Sequence, residues 1–238
     1  MNRRDDLDRL YGILCDLREA VGGYRYLREC DGRSGWPRQG VYFFFESGEF
    51  REDGDTLRVA RVGTHGVSEG SGASLWSRLS WHKGKVGGAF PGGGSHRGSV
   101  FRRHVGTALL NFRAYPAEVG RYWGKGSTTS RELRVIEYPL ERDVSTVIRN
   151  MPLLWVSVAD EPGRASRRGY IEKNAIALLS NLGRPAIAPC STGWLGRYAR
   201  AEAIGSSGLW NVQHVDRVSY DAKFLDLLEG CLPSMQIK

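Results

Sequence analysis

The chain has 238 residues, 41% hydrophobic and 25% charged, which suits a globular protein with a sizeable core and excludes a disordered one. Lys and Arg outnumber Asp and Glu by 34 to 26, a formal charge of +8. That charge suits a polyanion, nucleic acid before an acidic small molecule, although a merely basic surface is the plainer reading.

The cysteines, Cys15, Cys30, Cys190 and Cys231, have neither Cys-x-x-Cys nor zinc-finger spacing. Reduced thiols in a cytoplasmic protein are expected. Arg3-Arg4 is followed by Asp5-Asp6, not by an apolar run, and no long uncharged apolar stretch occurs. Neither a signal peptide nor a membrane span is therefore expected.

Leu7, Leu10, Leu14, Leu17 and Val21 recur at three- and four-residue spacing and predict an amphipathic helix ended by Gly22-Gly23. Its stripe packs on the core or, less simply, forms a homodimer contact. Residues 24–37 read as a mixed connector. Gly40-Val41-Tyr42-Phe43-Phe44-Phe45 is an apolar run of strand type, with Tyr42 and Phe44 on one face and Val41, Phe43 and Phe45 on the other. The turn formers Ser47-Gly48 and Asp53-Gly54 join it to a second strand, Leu57 to Gly63, as an antiparallel hairpin.

Tyr42 is either a core residue with its hydroxyl on a carbonyl or a side chain aimed into a site. Arg61 is either a solvated edge residue or, beside Tyr42, a cation next to a phenol. Gly63 allows a close backbone approach. His65, in the loop that follows, is an exposed side chain or a catalytic one. Residues 74–82 predict a short helix with Leu75 and Leu79 inward. Arg78 and His82, four apart, share a face as a surface pair or as part of a site.

Residues 84–98 are glycine-rich and flanked or interspersed with Lys83, Lys85, His96 and Arg97, which reads as a mobile basic loop. Val100 to Arg113 predicts a helix carrying Arg102, Arg103, His104 and Arg113. This loop and helix are the candidates for backbone phosphate contacts. Residues 131–150 read as helix interrupted near Tyr138-Pro139, and 151–158 as a third, buried strand. A helix follows over 167–181, with Glu172 and Asn181 as its polar members of interest. Short helices are expected over 199–204 and 221–228, and 207–215 reads as ordered around Trp210. There is no internal repeat and no linker, so one unit with added ends fits better than two domains.

Gly40-Val41-Tyr42, Arg61-Val62-Gly63, Arg78 and Glu172, in that order, resemble the GIY-YIG nuclease family. The second motif departs, because the family's second tyrosine is Arg61 here. The resemblance covers residues 38–185, with a basic insertion near 84–131. It leaves 1–37 as an N-terminal helical extension and 186–238 as a C-terminal extension packed on the core. It implies an α/β fold, with a small, mostly antiparallel, three-stranded sheet flanked by helices. It further implies DNA phosphodiester hydrolysis, RNA being left open, with one divalent ion, Mg²⁺ or Mn²⁺. In that scheme Tyr42 is the general base, Arg78 the phosphate clamp and Glu172 the metal ligand. Arg61, His65 and His82 complete the catalytic candidates, and Asn181 corresponds to a downstream asparagine that contacts nucleic acid. The Arg61 departure leaves open a nucleic-acid-binding module of the same fold without catalysis. A protein that binds an acidic partner through its basic surface is the third reading.

Overall fold

The structure is a computed structural model that describes residues 2–85 and 87–235. Its centre is the hairpin of β2 (Gly40–Phe50) and β3 (Leu57–Gly63). β4 (Pro152–Ser157) pairs antiparallel with the other side of β2, from Gly40 opposite Ser157 to Phe44 opposite Leu153. The two-residue β1 (Arg25–Tyr26) completes the order β1-β4-β2-β3, with every pairing antiparallel. The sheet thus has four strands, not three. Two residues are too few to carry an alternating pattern, and β1 exists only because β4 offers it an edge.

The alternation in β2 builds the two cores. Val41, Phe43 and Phe45 join a cluster with α1 (Arg3–Ala20), α6 (Arg167–Leu179) and α8 (Lys223–Glu229). Tyr42 and Phe44 join the opposite cluster, with α2 (Leu75–Lys83), α3 (Val100–Phe112), α4 (Ala117–Tyr122) and α5 (Arg131–Arg149). Each fully buried phenylalanine is worth roughly 1.5–3 kcal/mol of transfer free energy.

α1 starts at Asn2, whose side chain accepts from the Arg4 and Asp5 backbone N–H groups, and ends before Gly22 at φ 72°. Leu7, Leu10, Leu14 and Leu17 are all buried against this chain's own core. The stripe therefore gives no support to a homodimer. Among the described residues, no helix is long and apolar enough to cross a membrane.

α5 runs unbroken through Pro139, against the expected interruption. Proline removes an N–H and crowds the carbonyl four residues back. Here that residue is Val135, which is exposed like Pro139, so the orphaned carbonyl lies on the solvent side. The expected helix over 199–204 is displaced into a 3₁₀ turn (Leu195–Tyr198) and α7 (Glu202–Ser207).

The segment after α7 closes the free edge of β3. Trp210 N–H donates to the Ala60 carbonyl at 2.7 Å, and the Asn211 amide pairs with both N–H and carbonyl of Val62. One oxygen of Glu46 on β2 accepts from the indole N–H groups of Trp194, at 2.7 Å, and Trp210, at 3.0 Å. An unpaired strand edge is an aggregation template, and this strap covers it.

Candidate active site

A cleft of about 580 Å³ opens where the ends of β2 and β3 meet α2, α6 and the C-terminal strap. Tyr42, Arg61, His65, Arg78 and Glu172 all line it, from elements far apart in sequence.

Tyr42 is fully buried apart from its approach to the cleft, and its hydroxyl lies 2.9 Å from His82 Nε2. Across the hairpin it faces Gly63. A Cβ on Gly63 would stand 2.3 Å from the Tyr42 oxygen and Cζ, so the ring occupies space that only glycine leaves. This is the close approach expected of Gly63.

His82 Nδ1 is 2.8 Å from Ser99 Oγ, and Ser99 also caps α3 by accepting from Arg102 N–H. Burial holds His82 well below the usual imidazole range, and Arg61, Arg78 and Arg102 push the same way. His82 is therefore neutral, so one ring nitrogen donates and the other accepts, with the Tyr42 phenol at Nε2 and the Ser99 hydroxyl at Nδ1.

Arg61 reaches the cleft through a bulge. Phe44 pairs with Arg61 but Phe45 pairs with Val59, so β3 carries one extra residue there. Val59 and Val62 point to the first core, whereas Arg61 sits over the Phe101 ring at 4.6 Å in the second. Its Nη1 donates to the Trp210 carbonyl at 3.1 Å, and only 8% of the residue is exposed. It is not a solvated edge residue.

α2 is started by Ser74, which accepts from Ser77 N–H while the Ser77 hydroxyl accepts from Ser74 N–H. With Leu75 and Leu79 buried, Arg78 is left half-buried on the cleft wall. The Nε atoms of Arg61 and Arg78 are both buried without a hydrogen-bond partner among the described residues.

His65 is pushed down to about 4, chiefly by burial. Its Nε2–H then donates to the Arg38 carbonyl at 3.1 Å, leaving a buried, unpartnered lone pair on Nδ1.

Glu172 on α6 accepts the Thr64 N–H at 3.2 Å with Oε1 and forms no ion pair among the described residues. Burial raises its carboxyl, opposed by Arg61, the Thr64 N–H and Arg78. Among the described residues no group of three or more His, Cys, Asp or Glu could cage a metal. One carboxylate with a free oxygen is the wrong donor set for zinc. It fits a hard divalent cation that keeps most of its waters.

The basic candidates divide into two groups. Arg102 is fully buried, paired with Glu141 and bonded to the His82 carbonyl and Ser145 hydroxyl. Arg97 makes a fork to Glu137 at 2.6 and 2.8 Å. Lys83 is buried on the Cys30 carbonyl. Asn181 accepts from Arg3 and from Ile187 N–H and does not line the cleft. These four side chains are spent on internal contacts, which the three charged ones require once buried. Lys85, Arg103 and Arg113 are exposed, with Arg113 4.0 Å from Asp143. The loop is also tied down, since Lys85 N–H donates to the Gly93 carbonyl and Gly92 N–H to that of Lys85.

Sequence reasoning passed over Thr64, Ser99, Trp81 and the strap residues Trp210 and Asn211. Ser99 carried a signal as the serine before a helix. The strap carried none beyond its tryptophan.

No curated protein and no solved structure matches the chain. The family model described as the GIY-YIG domain, a nuclease-type fold, matches residues 1–237, wider than the span over which the motifs are readable. With Gly40-Val41-Tyr42 and the strand ending in Gly63 packed side by side over the cleft, the chain belongs to the GIY-YIG family.

Proposed function

We propose that the chain is a metal-dependent endonuclease that hydrolyses DNA phosphodiester bonds. The observation that carries this reading is the convergence of the Tyr42–His82 pair, Arg78 and Glu172 on one cleft. Hydrolysis needs a proton removed from the attacking water and charge offset on the phosphoryl oxygens.

The base is the phenolate form of Tyr42, which has released its own proton to solvent and takes one from the attacking water. His82 resists protonation, so it serves as a donor: with the Ser99 hydroxyl donating to Nδ1, Nε2–H points at the Tyr42 oxygen and stabilises negative charge there. Arg78 presents a fork to two phosphoryl oxygens. Arg61 adds a second cation whose field reaches Glu172. Glu172 would hold the divalent ion through its free oxygen. When bound, that ion offsets phosphoryl charge and carries a water able to protonate the leaving 3′ oxygen.

The test is purified protein with supercoiled plasmid, with and without Mg²⁺ or Mn²⁺. Nicking or linearisation only with the metal is expected. Salt-sensitive binding without cutting under any metal would leave the non-catalytic binding module as the reading.

A further inference from the structure

Trp81 stands 54% exposed on the rim of the cleft, three residues after Arg78 and one before His82. Helix residues three apart are neighbours, with Cβ atoms about 5–6 Å apart. Arg78 and Trp81 therefore leave α2 from neighbouring positions, and both line the cleft. One side of the indole rests on Gly98, where a Cβ would come within 2.4 Å of the ring. The exposure belongs to the rest of the ring.

A second hollow, of about 230 Å³, adjoins Trp81. Its walls include Phe90 and Tyr138, with ring centroids 5.4 Å apart, and the exposed cations Lys85 and Arg134. The carboxylates beside it, Glu137 and Glu141, are already paired with Arg97 and Arg102. The hollow thus combines aromatic side chains with exposed cations, the combination that binds single-stranded nucleic acid.

Resting on the nuclease reading for the position of the phosphate, we propose that Trp81 is the stacking platform for an unpaired nucleobase of the strand held on Arg78. The adjoining nucleotide enters the second hollow. A base inside a duplex is covered on both faces and cannot use such a platform without being unstacked. The preferred substrate class is therefore nucleic acid with an unpaired nucleotide next to the scissile phosphate.

The test uses the full chain without divalent metal, so that binding is read apart from cutting. Wild type, Trp81→Phe, Trp81→Leu and Trp81→Ala are titrated with a duplex bearing an unpaired tail that contains 2-aminopurine. A fully paired duplex of the same sequence is the control. Wild type should quench the 2-aminopurine and prefer the tailed duplex. Trp81→Ala and Trp81→Leu should weaken tailed binding about ten- to a hundredfold, the range of base–aromatic stacking. They should move duplex binding less than threefold, and Trp81→Phe should retain most of the preference. Trp81→Leu keeps apolar cover over Gly98, so it reports even where Trp81→Ala loses stability. Equal losses on both substrates, or a tailed affinity unchanged in Trp81→Leu, would overturn the proposal. Quenching without cleavage under Mg²⁺ would sink the nuclease reading alone, and cleavage without a Trp81 effect would sink this one alone.

Discussion

Gly63→Ala is the sharpest perturbation of the site, because it adds one methyl and removes nothing. The new Cβ would lie 2.3 Å from the Tyr42 oxygen and Cζ and 2.7 Å from Cε2. Ordinary contact requires about 3.4 Å or more, so the ring must retreat by roughly 1 Å. It has little room, since Phe44 and His82 pack edge-on at centroid distances of 5.6 and 5.8 Å. A displacement of that size distorts the 2.9 Å bond to His82. Overpacking costs about 1–3 kcal/mol and a buried polar group left unpaired about 1–3 kcal/mol, so a loss of about 2–5 kcal/mol in stability is expected. Misplacement of a reacting group by about 1 Å costs on the order of a hundredfold in rate. Urea unfolding and plasmid nicking read the two effects separately. In a Tyr42→Ala background the stability cost of Gly63→Ala should fall towards zero, as a double-mutant cycle requires of a contact pair. Equal costs in both backgrounds would show that Gly63 meets something other than the phenol.

Glu172→Gln should abolish cleavage and retain DNA binding, and it should also weaken Mn²⁺ binding measured by electron paramagnetic resonance; wild-type Mn²⁺ affinity would remove Glu172 as the ligand. Triple alanine replacement of Lys85, Arg103 and Arg113 should lower the salt slope of DNA binding by about one per lost phosphate contact. Arg102→Met should instead destabilise the fold by about 3–5 kcal/mol, because Glu141 is left buried without its partner; a slope change with no loss of stability would reverse that assignment. His65, at about 4, and His82, lower than usual by burial, should make the protein acid-sensitive. Below about pH 6.5 the unfolded chain binds protons that the folded chain refuses, so stability falls as pH drops from there towards about 4. Each fully buried histidine contributes at most about 1.4 kcal/mol per pH unit, and His82→Asn should flatten the urea-midpoint profile in that window.

The hairpin, α2, β4 and α6 were legible because their signals are local. An apolar run, a Gly-containing turn and a three- or four-residue spacing each fix an element from a few neighbouring residues. Tyr42, Arg78 and Glu172 are far apart in the chain, and only the resemblance of the motifs to the GIY-YIG family assigns them to one site in advance. Burial of the basic residues was not legible, because it depends on α5. Arg97 and Arg102 look free in sequence, and only Glu137 and Glu141, on a helix that packs against α3, decide that they are not. The strap over β3 was illegible for a related reason. Glu46 selects Trp194 and Trp210 across most of the chain length, and no pattern in any of the three segments announces the others.

The arginine that breaks the second motif is best understood through that strap. A solvated edge position would have needed β3 to stay open, but Trp210 and Asn211 close it. Arg61 is then confined between the Phe101 ring and the Trp210 carbonyl, with the Tyr42 hydroxyl turned to His82 instead. Among the described residues, neither Arg61 nor Arg78 has an acidic partner in an ion pair, and Glu172 has no cationic one. Buried charges left this way are costly, and proteins keep them where a ligand completes the set. A phosphodiester supplies the anion that two guanidiniums lack, and a hydrated divalent cation supplies the charge that one carboxylate lacks. On the proposed reading the departure from the motif is therefore a redistribution of cleft charge towards the phosphate, with the His82–Ser99 pair left to orient Tyr42.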